Sequence, residues 1–567
     1  MSLPIKVAVA FVFLLTIVSF VFSLKYSGEN RIVYSTLQLY TNILPPICSS
    51  NGGFYSDAFS ISLLTSNSSK IYYTLDGSEP SLKSEIYSQS ILIQDKTFVA
   101  NNLSNIPTSP RWQPPIGDVF KGTVVRAICV NEKNQKSQEL IRTFIINKRR
   151  HTIAVVALTV NADDFFGYKN GIYVLGKNYD DKKDYAKKGL RLNLKWWEYP
   201  SNYLKRGDNS ERPVHLEFYE SDGTLGFEIN AGARISGNAT RGFSQKSLRI
   251  CFDEKYGASQ LNYNLFPNKQ VNIFNSFILR NSGNDWNKTM FRDAFMQSLI
   301  AENTHLEVQG YRPSIVYING EYWGIHNIRE RSDENYLANK YEINRDSIAV
   351  LELGGDVFYG KKNDDDEFKK LLEFVKTHDL SKADNYKNLE RKIDLLSFMD
   401  FIISNVYFCN SDWPNNNVKF WRFKSEKQEC DSLGFRDGRW RWMLFDTDWG
   451  FGYTDKNAFQ LNLLEKAKMT GSTGILFNGL LQNKTFEQEF KVRFSYHLDH
   501  TFATDVVIKK IDQFQQTLDP EIRDHINRWR VIGSYENWKE YVKELKDFAL
   551  KRPSIQTKQL NDFFTTK

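Results

Sequence analysis

Alternation with a period of two dominates the first quarter of the chain. Ser60–Leu64, Ile71–Leu75 and Val124–Cys129 read as short strands, Asp76-Gly77 supplies a tight turn, and the prolines from Pro107 to Pro115 mark irregular connections. Short strands at this spacing predict an all-β sandwich over 37–147. Further strands are predicted at Ile153–Leu158, Val214–Phe218, Phe227–Ile229, Ala233–Ile235 and Ser247–Ile250, while the polar residues 178–210 read as a loop. Phe291–Ala301 looks helical, and Ser314–Trp323 reads as a hairpin turning at Asn319-Gly320. The spacing of Leu395, Met399, Ile402 and Val406 then predicts a helix over Leu395–Tyr407, followed by strands at Val418–Phe423 and Arg439–Phe445. On the latter, Trp440 and Trp442 share one face and read as core. Beyond Tyr453, amphipathic helices alternate with polar loops. The pattern divides the chain into 37–147, a core at 150–453 and a helical subdomain at 454–567, a multidomain α+β protein.

The first 24 residues differ. A positive charge within Met1–Lys6 precedes an uncharged apolar run from Val7 to Ser23, long for a signal-peptide core and slightly short for a membrane span. Residues 1–24 read as a signal peptide or signal-anchor helix. The remainder is expected outside the cytoplasm, secreted or held at the membrane by that segment. With 567 residues, 41% of them hydrophobic and 14% aromatic, the chain has material for several cores. Its net charge of +7 includes no long basic block, which gives nucleic-acid binding no support. Cys48, Cys129, Cys251, Cys409 and Cys430 show no C-x-x-C, and their odd number excludes complete internal pairing. Cys48 with Cys129, both in the sandwich, is the one disulfide to consider. Sequons at Asn67, Asn102, Asn238, Asn287 and Asn483 would bear on glycosylation in a eukaryotic host. Asp364–Glu367 reads as a solvated acidic face, and His326, His497, His500 and His525 lack metal-ligand spacing.

The residues richest in chemistry lie between 412 and 452. Asp412-Trp-Pro-Asn-Asn-Asn417 places an amide five residues after a carboxylate, and Asp446-Thr-Asp448 follows at the end of a strand-like run. Protein kinases hold magnesium and orient a hydroxyl with an Asp, an Asn five positions on and a later Asp. Asn417, Asp446 and Asp448 offer the hard oxygen ligands that magnesium prefers beside phosphates. Asp412 could orient a hydroxyl and accept its proton. Plainer readings exist. Asp412 and the asparagines could form a turn around Pro414. Asp446 and Asp448 could cap a helix or pair with Arg439 or Arg441. Lys246 could be an ordinary strand-edge lysine.

Six segments in order carry a resemblance: Ala233–Arg249, Leu279–Asp293, Val316–Gly324, Ile328–Glu330, Asn410–Asn417 and Phe445–Asp448. Together they resemble the spore-coat-protein-H (CotH) kinase family over about residues 150–560. Separately, Ile71–Pro80 and Lys121–Ala127 resemble the fibronectin-III-like module at the C-terminus of chitobiases, a spacer or a carbohydrate-associated unit. The resemblance implies an atypical protein-kinase-like α+β domain that moves phosphate from ATP to serine or threonine hydroxyls with magnesium or manganese. Carried over by position, Asp412 is the catalytic-loop Asp, and Asn417, Asp446 and Asp448 hold metal. Lys246 takes the ATP phosphates and Glu330 fixes it, with Arg241 and Arg331 as further phosphate contacts. Arg280, Arg292 and Asp293 read as structural ion pairs. The expected partners are a coat or extracellular protein substrate, a cell-surface glycan at the sandwich, and the membrane. The rivals are a non-catalytic surface adhesin or assembly protein of the same fold and, third, a glycan-active enzyme.

Overall fold

The computed structural model describes residues 43–65, 69–187, 194–424, 431–469 and 471–565. The apolar segment 7–23, the Asn67 sequon and Cys430 lie outside the described residues. In the strand-rich N-terminal region, five strands pair in the order Gly53–Tyr55, Leu140–Ile146, Thr123–Val130, Lys70–Thr74, Glu85–Ile86. Two short ladders accompany this sheet, Ile47–Cys48 with Leu63–Leu64 and Phe59–Ile61 with Ile91–Ile93. Ile61, Leu63, Ile91 and Ile93 of the ladders are buried, as are Ile71, Val125 and Ala127 of the sheet. The disulfide between Cys48 and Cys129 does not form: both are free thiols, and Cys129 Sγ instead donates to Thr65 Oγ1 at 3.3 Å.

Seven strands then close a barrel, in the order Ala154–Val160, Arg212–Tyr219, Leu225–Ser236, Ser247–Cys251, Ser276–Arg280, Glu321–Arg329, Tyr311–Ile318. The ring closes through a parallel ladder that pairs Ala154 with Ser314 and Leu158 with Ile318. Asn319 and Gly320 turn the last hairpin at φ 45° and 79°, as a type I′ turn requires. The two strand signals at Phe227–Ile229 and Ala233–Ile235 belong to one long strand. Within the polar stretch read as a loop, Gly176–Lys187 is a helix. It shows no apolar stripe, and its Lys177–Asp181 pair at 2.6 Å supports it by charge, so hydrophobic periodicity missed it.

A second five-stranded sheet follows the order Glu307–Val308, Arg441–Leu444, Lys419–Phe423, Ile348–Glu352, Asp356–Tyr359. The helix Leu395–Tyr407 packs against it: Ser397 Oγ accepts the Trp442 N–H at 2.8 Å, and the Phe398 and Trp442 rings lie 4.7 Å apart. Trp440 and Trp442 are both buried. The acidic run is solvent-accessible, with Asp366 and Glu367 exposed, and is paired at its ends: Asp364 meets Lys424 at 3.2 Å and Glu367 meets Arg422 at 2.6 Å. Among the described residues, five α-helices complete the C-terminal region: Leu463–Met469, Gly471–Leu480, Lys484–Asp499, Thr504–Trp529 and Tyr535–Thr565. Asn483 is buried as the N-cap of one of them, so that sequon is structural. Among the described residues no helix is long and apolar enough to cross a membrane.

The strand-rich N-terminal region is bonded to the barrel. The Glu321 carboxylate accepts the N–H groups of Asn102, Leu103 and Ser104 and the Ser104 hydroxyl. Gly122 N–H donates to Gly320 O at 2.8 Å, and Tyr322 N–H to Phe120 O at 2.9 Å. The barrel's hairpin is thus bonded along its backbone to this region.

Candidate functional site

The Asp412 loop begins where the Leu395–Tyr407 helix leaves its last carbonyls without intrahelical partners. Arg552, fully buried on the C-terminal helix, donates to Val406 O at 2.7 Å and Tyr407 O at 3.2 Å, and also to Phe459 O and Leu461 O. A buried cation at a helix C-terminus also complements the helix dipole. Cys409 then turns at φ 50°. The next residues are tied to the turn after Asp448: Phe451 N–H donates to Phe408 O at 2.7 Å, and Ser411 Oγ to Trp449 O at 3.3 Å. Asp412 accepts from Asn416 Nδ2 at 2.7 Å and from Asn417 Nδ2 at 2.9 Å. The same Asn417 nitrogen donates to Asp446 O at 3.1 Å, which leaves its Oδ1 as the oxygen available to a ligand. Asn417 and Asp446 both have left-handed backbones, φ 59° and 54°, a conformation that Asn and Asp tolerate better than most residues.

The strand Arg441–Leu444 delivers Asp446 and Asp448 to the end of the barrel strand Ser276–Arg280. Arg280 Nη2 lies 2.6 Å from Asp446 Oδ1 and 3.1 Å from Asp448 Oδ2. The acids do not pair with Arg439 or Arg441, which hold Asp437 instead. Asp446 keeps 38% of its side chain exposed, whereas Asp448 keeps 1% and also accepts the Asn284 N–H at 2.7 Å. Burial, and then the charge of Asp446, push the Asp448 carboxyl well up despite Arg280. Burial works against the Arg280 charge, but Asp446, Asp293 and Asp448 outweigh it and hold the guanidinium protonated. Behind the acids, Asp293 Oδ1 accepts the Thr447 N–H at 2.8 Å and its hydroxyl at 3.0 Å. Arg292 bonds Asp285 and the carbonyls of Gly450 and Phe451, which fixes the following turn.

Three of the expected phosphate residues face elsewhere. Lys246 is fully buried, its ammonium donating to Arg241 O and Phe243 O at 2.8 Å each and lying 3.9 Å from the centre of the Tyr203 ring. Burial pushes its pKa well down, with the Arg241 charge adding to the effect. Glu330 does not fix Lys246: it pairs with Lys269 and accepts the Gly310 N–H at 2.6 Å. Arg241 is spent on the carbonyls of Ile235, Gly237, Tyr203 and Lys205. These three are structural because backbone oxygens or a nearer lysine already satisfy them. Arg331 pairs with Asp333 at 2.7 Å and keeps about a third of its side chain exposed. Arg280, which reads from the sequence as a structural ion pair, meets the acids of the site, as does Asn284. Lys419 is buried, donates to Ser332 O, and is pushed down by burial to about 8. The Asn-Ser-Gly-Asn run after Arg280 was the available signal, since a glycine between small polar residues marks a close backbone approach.

Asp446, Asp448 and Asn417 offer only hard oxygen atoms, a set that fits magnesium or manganese bound jointly with phosphates. Among the described residues no group of three or more His, Cys, Asp or Glu side chains could hold a metal ion by itself, so phosphate oxygens would have to complete the shell. No curated protein matches the chain. The Fn3 associated family model matches residues 61–144. The model of the CotH kinase protein family matches residues 233–555, more than half of the chain and the whole of the site just described. The chain belongs to the CotH kinase protein family.

Proposed function

We propose that this family member is a protein kinase that moves the terminal phosphoryl group of ATP to serine or threonine hydroxyls of a protein outside the cytoplasm. The supporting observation is the position of Asn417, whose single amide nitrogen joins the Asp412 carboxylate to the Asp446 backbone. Loop and strand end are thereby held in one arrangement, as positional catalysis demands. The domain is read as an atypical protein-kinase-like fold, with the barrel on one side of the site and the helix-backed sheet on the other. Asp412 receives the acceptor hydroxyl and takes its proton as that oxygen bonds to phosphorus and the bond to the departing diphosphate breaks. Asp446, Asp448 and Asn417 Oδ1 would hold magnesium or manganese, which supplies neutralisation of phosphate charge when bound. Export rests on the apolar segment 7–23, which would also provide the membrane contact, and the sandwich is the candidate for a cell-surface glycan.

Transfer of labelled γ-phosphate by the full chain, with and without Asp412→Asn, tests this reading. The variant is expected to lose about 100-fold or more in rate, and equal transfer overturns the assignment. A second reading, a non-catalytic surface protein, is favoured by one observation: Arg280 already bridges both acids. Magnesium with ATP at about 100 times its Kd raises the stability of a binder by roughly 2.7 kcal/mol, and an inert scaffold shows no shift.

A further inference from the structure

We propose that Arg280 has two working positions: without nucleotide its guanidinium stands in for the cation between Asp446 and Asp448, and on loading it turns to Asp293 and presents Nη2 to a phosphate. The inference rests on the kinase reading and gives that site a resting state. One nitrogen bridges the two carboxylates, at 2.6 and 3.1 Å, at the place where a shared cation would sit.

The second position is already built. Arg280 Nε is buried and makes no hydrogen bond, and neither does the buried Asp293 Oδ2, 3.9 Å away. Arg329 Nη2 lies 3.1 Å from that same oxygen without forming a hydrogen bond to it. A donor that makes no hydrogen bond thus faces, at 3.9 Å, a carboxylate oxygen that accepts none and has only its ionic contact with Arg329. A small rotation of the Arg280 side chain closes that gap and lifts Nη2 off the acids. Asp293 cannot follow, because its Oδ1 is held by Thr447 and by Gln297 Nε2 at 2.8 Å. Thr447 stands between the two acids in sequence, so the residue that receives Arg280 also holds their turn.

The charges fit this exchange. Three carboxylates, Asp293, Asp446 and Asp448, face two guanidiniums, Arg280 and Arg329. A divalent cation on the acids makes Arg280 redundant there and leaves its charge for the phosphates. The fork of a guanidinium can rest one edge on a carboxylate and offer the other to a phosphoryl oxygen, which a lysine cannot.

The test uses the full chain as wild type, Arg280→Gln and Arg280→Lys. Binding of Mn2+ alone is read by electron paramagnetic resonance, and binding of Mn2+ with a non-hydrolysable ATP analogue by calorimetry. Arg280→Gln is expected to bind Mn2+ alone about tenfold or more tightly than wild type, and the Mn2+–analogue pair about tenfold or more weakly. Arg280→Lys keeps the charge and loses the fork, so it should follow wild type with Mn2+ alone and the glutamine variant with the analogue. Mn2+ binding that is equal in wild type and Arg280→Gln, or undetectable in both, overturns the stand-in role. If Arg280→Gln does not fold, Arg280→Lys decides: analogue affinity within about twofold of wild type overturns the phosphate role. Absence of analogue binding by wild type removes the kinase reading and the phosphate role together. The Mn2+ arm still reports separately on whether Arg280 competes for the acids.

Discussion

Gly283 leaves room for both the carboxylate and the guanidinium that meet beside it. Its φ is +63°, and a Cβ there would stand 2.1 Å from Asp448 Oδ2 and 2.4 Å from Arg280 Nη2. Asp448 cannot retreat, because it is buried and bonded to Asn284. Gly283→Ala should therefore cost about 1–3 kcal/mol of stability and weaken Mn2+ binding as well. Gly257→Ala is the control: φ is +111° there, with nothing within 4 Å, so it carries backbone strain without a clash. Thermal unfolding and Mn2+ titration of the two variants decide the matter. If both lose the same stability and neither changes metal affinity, crowding at Asp448 plays no part. Lys246 teaches the opposite lesson at the same scale. Its place in the sequence points to a phosphate ligand, but Tyr203 and two carbonyls enclose its charge.

At the scale of elements, Arg552 links the C-terminal helix Tyr535–Thr565 to the helix Leu395–Tyr407 that leads into the Asp412 loop. Arg552→Met removes a buried cation from four carbonyls and should cost about 3–5 kcal/mol. It should also slow phosphoryl transfer more than it weakens analogue binding, since the Asp412 loop starts from the capped end. Steady-state kinetics beside thermal melts would check this, and an unchanged rate in a destabilised variant would show that the cap serves folding alone. The Leu395–Tyr407 helix was legible because its apolar spacing is regular, and the strands carrying Trp421 and Trp442 because their alternation is. That Asp412, Asn417 and Asp446 come together was legible because they lie on consecutive elements, where short-range spacing stands in for geometry. Arg280 was not: it is 166 residues from Asp446 and reaches it only because a barrel strand ends against the second sheet. The Gly176–Lys187 helix escaped because ion pairs rather than an apolar stripe support it.

At the largest scale, the long helix Thr504–Trp529 is fastened to the barrel through the buried His525, and a second buried histidine, His326, lies on the barrel strand it meets. His525 Nδ1 accepts the Ile325 N–H at 3.0 Å, and Trp529 Nε1 donates to Trp323 O at 2.9 Å, so this helix is fastened to the barrel strand Glu321–Arg329. Next to Ile325 on that strand, His326 contacts Lys246 O at 3.2 Å and Gln245 Nε2 at 3.3 Å. Burial pushes His525 down to about 3, with the charges of His326 and Arg528 adding to it, and pushes His326 down to about 4. Both values lie below the ordinary 6.5, so between pH 6.5 and the folded values the unfolded chain binds more protons and stability falls as pH falls. At pH 5 each histidine should have lost about 2 kcal/mol relative to pH 7.5. Asp448, whose carboxyl is pushed up, contributes with the opposite sign over the same range, so the raw pH slope of the wild type is ambiguous. The difference between wild type and His525→Gln isolates the histidine, because glutamine can still accept the Ile325 N–H but takes up no proton. Denaturant unfolding of both proteins at pH 7.5 and pH 5 should show the variant losing about 2 kcal/mol less on acidification. Equal losses would mean that His525 is not held neutral and that acid acts elsewhere than on the fastening of helix to barrel.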